Sequence, residues 1–385
     1  MLLVGPAWAQ DEQRKEDGYI FTTVRELPIT SVKNQNRSGT CWSFSALGLI
    51  EAELLRTGKG EYDLSEMFIV HRSYIDKAVK YVRLHGHGNF AGGGSFYDVL
   101  YVLKYYGIVP EQAMNGLQYG EDKHVHAELD AAAKAYVEAI VKDPNRKLST
   151  VWLEGFKGIV DAYLGVVPGR FIYGGKEYTP LTFMASLGIE PDDYVSLTSF
   201  THHPFYSRFA LEIPDNWRWS DSYNLPLEEL MGVIDYGLEQ GYVVAWGADV
   251  SERGFSRDGV AVVPDVNLAD MSDSDQARWL GLSQRDREAE LYSGKPGYEK
   301  VITQAVRQEA FDNLQTTDDH GMLIYGVARD QAGRRYYMVK NSWGESGLYK
   351  GFWYVSEAFV RYKSINVVVH RDAIPVGIRR ELGLW

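Results

Sequence analysis

Apolar positions recur at helical spacing just after residue 41: Phe44, Leu47, Ile50, Leu54 and Leu55 share a face, with Glu51 and Glu53 on others. The pattern predicts a helix that begins at or beside Cys41, after Gly39-Thr40. It ends at Gly58, a residue suited to the left-handed turn that closes helices. Leu64-Ser65-Glu66 opens a second helix running toward Val82. The glycine-rich stretch HGHGNFAGGGS then leads into a third helix, from about Ser95 to Tyr106. Residues 121–165 read as helices around AELDAAAKAYVEAIV, whereas GRFIYGGKEYTPLTF and the aromatic, proline-rich 200–226 read as irregular. LPLEELMGVIDYGLEQG predicts a helix and YVVAWGADV a buried strand. Residues 251–310 are polar and charged, which suits a surface excursion with helices. From 320 the period changes to that of strands, in HGMLIYGVARD, RRYYMVKNSWG, GFWYVS and INVVVHR. No fixed-period repeat is present.

Composition narrows the function classes. The chain has 385 residues and a formal net charge of −12, a balance unsuited to nucleic acid or an anionic membrane surface, both of which favour clustered Lys and Arg. No window approaches the 18 or so uninterrupted apolar residues of a membrane span. A single cysteine rules out an intrachain disulfide framework, so stability must come from packing. MLLVGPAWA at the start, with Ala7-Trp8-Ala9 before a polar stretch, fits a clipped secretory signal and a periplasmic or secreted location, with the cytoplasm as the alternative.

The chemistry lies at the two ends of the chain. A thiol at a helix N-terminus feels the positive end of the helix dipole, which favours thiolate. Gln35, six residues upstream of Cys41, carries an amide able to donate to an oxyanion. Far downstream come His320 in DDHGM and Asn341 and Trp343 in KNSWGE. His85, His87, His202 and His203 show no clear ligand set, so neither a metal nor an organic cofactor is expected.

Together SGTCWSFS, DDHGM and KNSWGE resemble the papain-like cysteine peptidases. Gly39, Cys41 and Trp42 match the C-G-[SA]-C-[WY] signature, but its first cysteine is missing, and His320 and Asn341 lie about twice as far downstream as the usual 130–150 residues. That combination is similar to the enlarged, disulfide-free branch of bleomycin hydrolase and bacterial aminopeptidase C, as are PDDYVSLT with THHPFY after it and NLPLEELMGVIDYGLEQGYVVAWGADV.

The resemblance implies an α+β, two-lobed papain-like fold: a helical lobe, an antiparallel barrel-like sheet lobe, and large helical insertions. The expected division is a leader and linker over 1–22, a helical lobe over 23–118, a family-type insertion over 119–220, and a sheet lobe with C-terminal tail over 221–385. It implies Cys41 as nucleophile, His320 as acid–base partner, Asn341 as orienting group and Gln35 in the oxyanion hole. Trp343 would cover the Asn–His bond, and Gly92 and Gly93 would pair with the peptide backbone. It further implies a peptide substrate, a closed homohexamer, and a C-terminal tail whose carboxylate anchors the substrate's α-ammonium. The tail here, AIPVGIRRELGLW, is long enough to reach but carries Arg379 and Arg380. An aminopeptidase is thus the leading expectation, an endopeptidase with an open cleft the alternative. Acyl transfer and a non-catalytic peptide-binding protein are weaker readings.

Overall fold

The computed structural model describes residues 18–142 and 147–384. The leader expectation on residues 1–9 falls outside the described residues. Five helices form the first lobe: α1 (Cys41–Arg56), α2 (Glu66–Arg83), α3 (Phe96–Tyr105), α4 (Ala127–Val141) and α5 (Trp152–Leu164). Their starts follow local chemistry. Ser65 accepts from the Phe68 amide at the head of α2, and Ser95 forms a capping box with Asp98 at the head of α3. α1 stops where Thr57 and a left-handed Gly58 (φ 73°) take the last free carbonyls.

Packing buries α1 on every side, beyond the single apolar face its pattern marks. Every residue from Trp42 to Leu54 is buried, Glu51 and Glu53 included. α1 is the central rod of the molecule, lying against α2 and α3 on one side and the sheet on the other. Glu51 is tolerated because Lys33 (2.9 Å), Thr30 (2.7 Å) and the Leu64 amide (2.9 Å) all reach it.

The sheet lobe holds β1 (Thr22–Glu26), β4 (Tyr194–Thr198), β5 (Arg208–Ala210), β6 (Asp221–Asn224), β7 (Val244–Ala248), β8 (Val260–Ala261), β9 (His320–Arg329), β10 (Arg335–Lys340), β11 (Phe352–Ser356) and β12 (Ser364–His370). The order is β5-β6-β4-β12-β7-β9-β10-β11-β8, with β1 on β9. Most pairs are antiparallel, but β11/β8 and β4/β6 are parallel, so the sheet is mixed rather than uniformly antiparallel. β4 to β6 come from the stretch assigned to an insertion and to irregular structure, yet they extend the same sheet through β12. Residues 169–183 also hold more order than the pattern predicted. β2 (Phe171–Tyr173) and β3 (Lys176–Tyr178) pair across Gly174-Gly175, both at positive φ, and α6 (Pro180–Leu187) follows.

The remaining helices are α7 (Leu227–Glu239), α8 (Asp273–Gly281), α9 (Gln284–Leu291), α10 (Gln304–Asp312), α11 (Glu357–Lys363) and α12 (Val376–Glu381). α8 and α9 make up the charged excursion; α9 buries no residue at all. Among the described residues, no helix is long and apolar enough to cross a membrane. The terminal carboxylate expected in the cleft belongs to residue 385, which lies outside the described residues. After Pro375 the tail coils into α12, Arg379 pairs with Asp372 at 2.9 Å, and Leu382 enters the core. The preceding turn rests on α7, where Ala373 lies against Gly237. No described tail residue lines the pocket that holds Cys41.

Candidate active site

Cys41 is the first residue of α1, and His320 the first of β9, which packs along that helix. The lobe interface therefore brings two residues from opposite ends of the chain to one pocket, lined also by Trp42, Gly94, Phe96, Gly247 and Asn366. Small residues let the lobes close. A Cβ on Gly321 would lie 2.7 Å from the Ser45 hydroxyl and 2.9 Å from the Phe96 ring. Ser45 itself donates to the Cys41 carbonyl at 2.6 Å.

Asn341 follows β10 and is buried. His320 Nε2 lies 2.7 Å from Asn341 Oδ1, which also accepts from the Ser342 amide at 2.7 Å. An oxygen accepting on one side fixes the tautomer: Nε2 carries the proton, and Nδ1 presents its lone pair. Trp343 stacks on the imidazole at 4.7 Å and 28° and is in turn edged by Phe255 and Trp353. Gln35 is buried beside this strand end. Its Oε1 accepts from Ser342 Oγ at 2.6 Å, and its Nε2 donates to the Ser38 carbonyl at 2.8 Å. The amide is thereby oriented with one N–H still uncommitted.

Burial dominates the electrostatics. Desolvation pushes the Cys41 thiol up to about 12, with the Asp318 and Asp215 charges adding to it and the Gly321 and Trp42 amides opposing it. Desolvation likewise pushes the His320 imidazole down to about 4, against the Asn341 hydrogen bond. Each charge taken alone is disfavoured, so transfer of the thiol proton to the ring is viable only as a pair in which the two charges offset one another.

The glycine expectation is corrected in part. Gly92 is buried, its carbonyl accepts from Trp42 Nε1 at 3.2 Å, and its α-carbon faces Tyr74 and Asp130. The Gly93 carbonyl accepts from Lys77 Nζ. Gly94, not Gly92, lines the pocket with Cys41.

Several pocket residues were not foreseen. Asp318 and Asp319 stood in the DDHGM motif without a role; Asp215, Ile213 and Asn366 carried no local signal at all. Burial and the neighbouring Asp215 and Asp319 charges push Asp318 up to about 7. Away from the pocket, His202, His203 and Glu212 lie close enough together to hold a cation. The Gln308 amide, whose oxygen is committed to the Thr201 N–H, donates to His202 Nδ1. This leaves the His202 proton on Nε2, facing Glu212 at 3.1 Å, which is a hydrogen-bond arrangement rather than a ligand set.

Comparison with known proteins agrees with this geometry. Residues 21–149 match the profile of the papain family cysteine protease, and residues 287–382 that of the peptidase C1-like family. Aminopeptidase G of Lactobacillus delbrueckii subsp. lactis is 26% identical, covering 91% of this chain and 83% of its own length. Aminopeptidase E of Lactobacillus helveticus is 25% identical, covering 94% and 85%. The crystal structure of pepw from Lactobacillus rhamnosis superposes with a TM-score of 0.70 at 20% identity, over 94% of this chain and 84% of that one, and so shares the fold. The chain belongs to the papain-like cysteine peptidases. Within them it falls in the bleomycin hydrolase and aminopeptidase C branch.

Proposed function

We propose that the protein is a cysteine aminopeptidase, with Cys41 as nucleophile, His320 as acid–base group, Asn341 as orienting group and Gln35 in the oxyanion hole. The observation that carries the reading is the hydrogen bond of His320 Nε2 to Asn341, which leaves Nδ1 free in the pocket that Cys41 lines. Nδ1 takes the thiol proton, and the thiolate attacks the scissile carbonyl. The oxyanion that forms meets the Cys41 amide, one of the unsatisfied donors at the head of α1, and the free N–H of Gln35. The imidazolium then protonates the departing amine as the C–N bond breaks, leaving an acyl thioester. Water, deprotonated by Nδ1, attacks the thioester and releases the acid, which restores thiol and imidazole. Trp343 shields the His320–Asn341 bond from water. The exopeptidase part of the reading rests on the names of the relatives, aminopeptidases G, E and C.

The test is hydrolysis of an aminoacyl fluorogenic amide with a free or an acetylated N-terminus, under reducing conditions, with Cys41→Ala as blank. Cleavage of the free form alone, lost in Cys41→Ala, is the expected outcome. Equal cleavage of both forms would make the protein an endopeptidase.

A further inference from the structure

The segment between β5 and β6, residues 211–220, starts and ends in the sheet lobe but is fastened to the helical lobe. Arg218 donates to Asp98 at 2.6 Å and to Asp76 at 2.7 Å, side chains of α3 and α2. Trp217 is buried, with Lys77 of α2 over its ring at 5.3 Å, and Lys80 of α2 lies 3.6 Å over the Trp219 ring. Asn89 donates to the Pro214 carbonyl and to Asp215 Oδ1, both at 3.2 Å. Asn216 closes the segment on itself through the Leu211 and Ser220 carbonyls, each at 3.0 Å. A connection held this way is a rigid strap across the cleft.

The strap crosses at one definite place. The Asp215 carboxylate rests on the backbone of Gly93, where a Cβ would overlap it, and it lines the same pocket as Cys41. His320 must protonate the leaving amine, so the leaving half of a substrate lies toward β9 and the acyl half extends away from it, toward Gly94 and Gly93. An acyl half of two or more residues would have to pass where Asp215 stands. The Gly93 carbonyl is already bonded to Lys77, which leaves it one lone pair to offer such a chain. Asn89 is the side-chain donor to Asp215; the Lys77 ammonium, committed to the Ala91 and Gly93 carbonyls, bears on the Asp215 charge without forming an ion pair with it among the described residues.

We infer that this strap limits the acyl side of the cleft to a single residue, and that Asp215 receives the α-ammonium of that residue. The inference deepens the aminopeptidase reading and rests on it. It puts the amine anchor in the middle of the chain. A carboxylate one residue beyond the scissile carbonyl pairs with a free ammonium and gains no ion pair from an acetylated one, and the strap excludes longer acyl chains sterically.

The experiment compares kcat and KM of wild type, Asp215→Asn and Asn89→Ala on three amides: free aminoacyl, acetylated aminoacyl and free dipeptidyl. Product lengths from an unlabelled peptide are read by mass spectrometry. Thiol titration with an alkylating agent counts the folded, competent sites in each preparation. In wild type, residues are expected to leave singly. In Asp215→Asn, kcat/KM on the free aminoacyl amide falls about tenfold to a hundredfold, mostly through KM, the range of a lost charge-assisted hydrogen bond. The acetylated amide loses nothing, so the preference collapses. Asn89→Ala moves the same way by a smaller factor and serves if Asp215→Asn does not fold. A wild type with no preference for the free amine overturns the aminopeptidase reading and this inference together. A wild-type preference retained in both variants, or release of dipeptides, overturns this inference alone.

Discussion

Two sets of acidic side chains flank α1, and they are treated in opposite ways. Toward its C-terminal half, Glu51 and Glu66 are buried and Asp63 sits beside them, and Lys33 reaches all three, at 2.9, 2.7 and 2.6 Å. That cation is held firmly charged, its partners outweighing the desolvation of its ammonium. At the head of the same helix, Asp215, Asp318 and Asp319 surround the Cys41 pocket, and no Lys or Arg pairs with any of them among the described residues. Asp319 is met by backbone amides, that of Val250 at 3.0 Å. At Lys33 the fold supplies a direct ion-pair partner; in the cleft the Lys77 charge bears on Asp215 without pairing with it. A weakly compensated set in the cleft costs stability and keeps a site open to an incoming cation.

The contrast can be broken most strongly at Lys33. Lys33→Met removes one cation from three carboxylates, two of them buried, and should cost about 3–5 kcal/mol, the usual penalty for orphaning a buried charge. Urea unfolding reads the loss, and specific activity per titrated thiol should stay near wild type; a variant as stable as wild type would mean the cluster carries protons instead of a fixed charge pair. Next in size is Arg218→Met, which strands the fully buried Asp98 and half-buried Asp76. A loss of about 3 kcal/mol is expected, and here the substrate profile should change too, because the strap is released: cleavage of acetylated amides should rise relative to free ones.

The smallest effect should come from the cleft, with the opposite sign. Asp318 holds its proton up to about 7 in the folded protein, above the carboxylate's ordinary value near 4. The folded state thus binds a proton that the unfolded state has released, so stability falls as pH rises from about 4 to about 7 and levels off above. Asp318→Asn should therefore raise the unfolding free energy at pH 8, and Tm with it, by on the order of 2 kcal/mol, within the ceiling of about 4 kcal/mol that a rise from near 4 to about 7 sets. The gain should fade toward pH 4, as melting curves at the two pH values would show. A gain that is the same at both values would assign the effect to packing instead of charge.

Much of the candidate site was legible because its signals are local. A cysteine followed by a helical period placed Cys41 at the first turn of α1, and HGM and NSW marked the strand ends that carry His320 and Asn341. Neighbouring residues in a helix or strand impose these patterns on one another, so the sequence carries them openly. What it could not carry was decided between elements far apart. Glu51 lies off the apolar face that the pattern marks, but α1 is enclosed by both lobes, and its burial is tolerable because Lys33 folds over it. Gly92 and Gly93 read as a matched pair, but Trp42 and Lys77 claim their carbonyls. Residues 200–226 read as irregular, because strands of three and four residues are too short to show a period; only pairing through β4 to β12 makes them sheet. Asp215 is the extreme case. Nothing in EIPDNWRW announces a carboxylate beside a thiol 174 positions upstream. The sequence by itself determined the reagents and the helix and strand ends that bear them. The tertiary structure alone decided how the cleft is bounded, because a strap crosses where β5 and β6 join the sheet and where α2 and α3 offer it anchors.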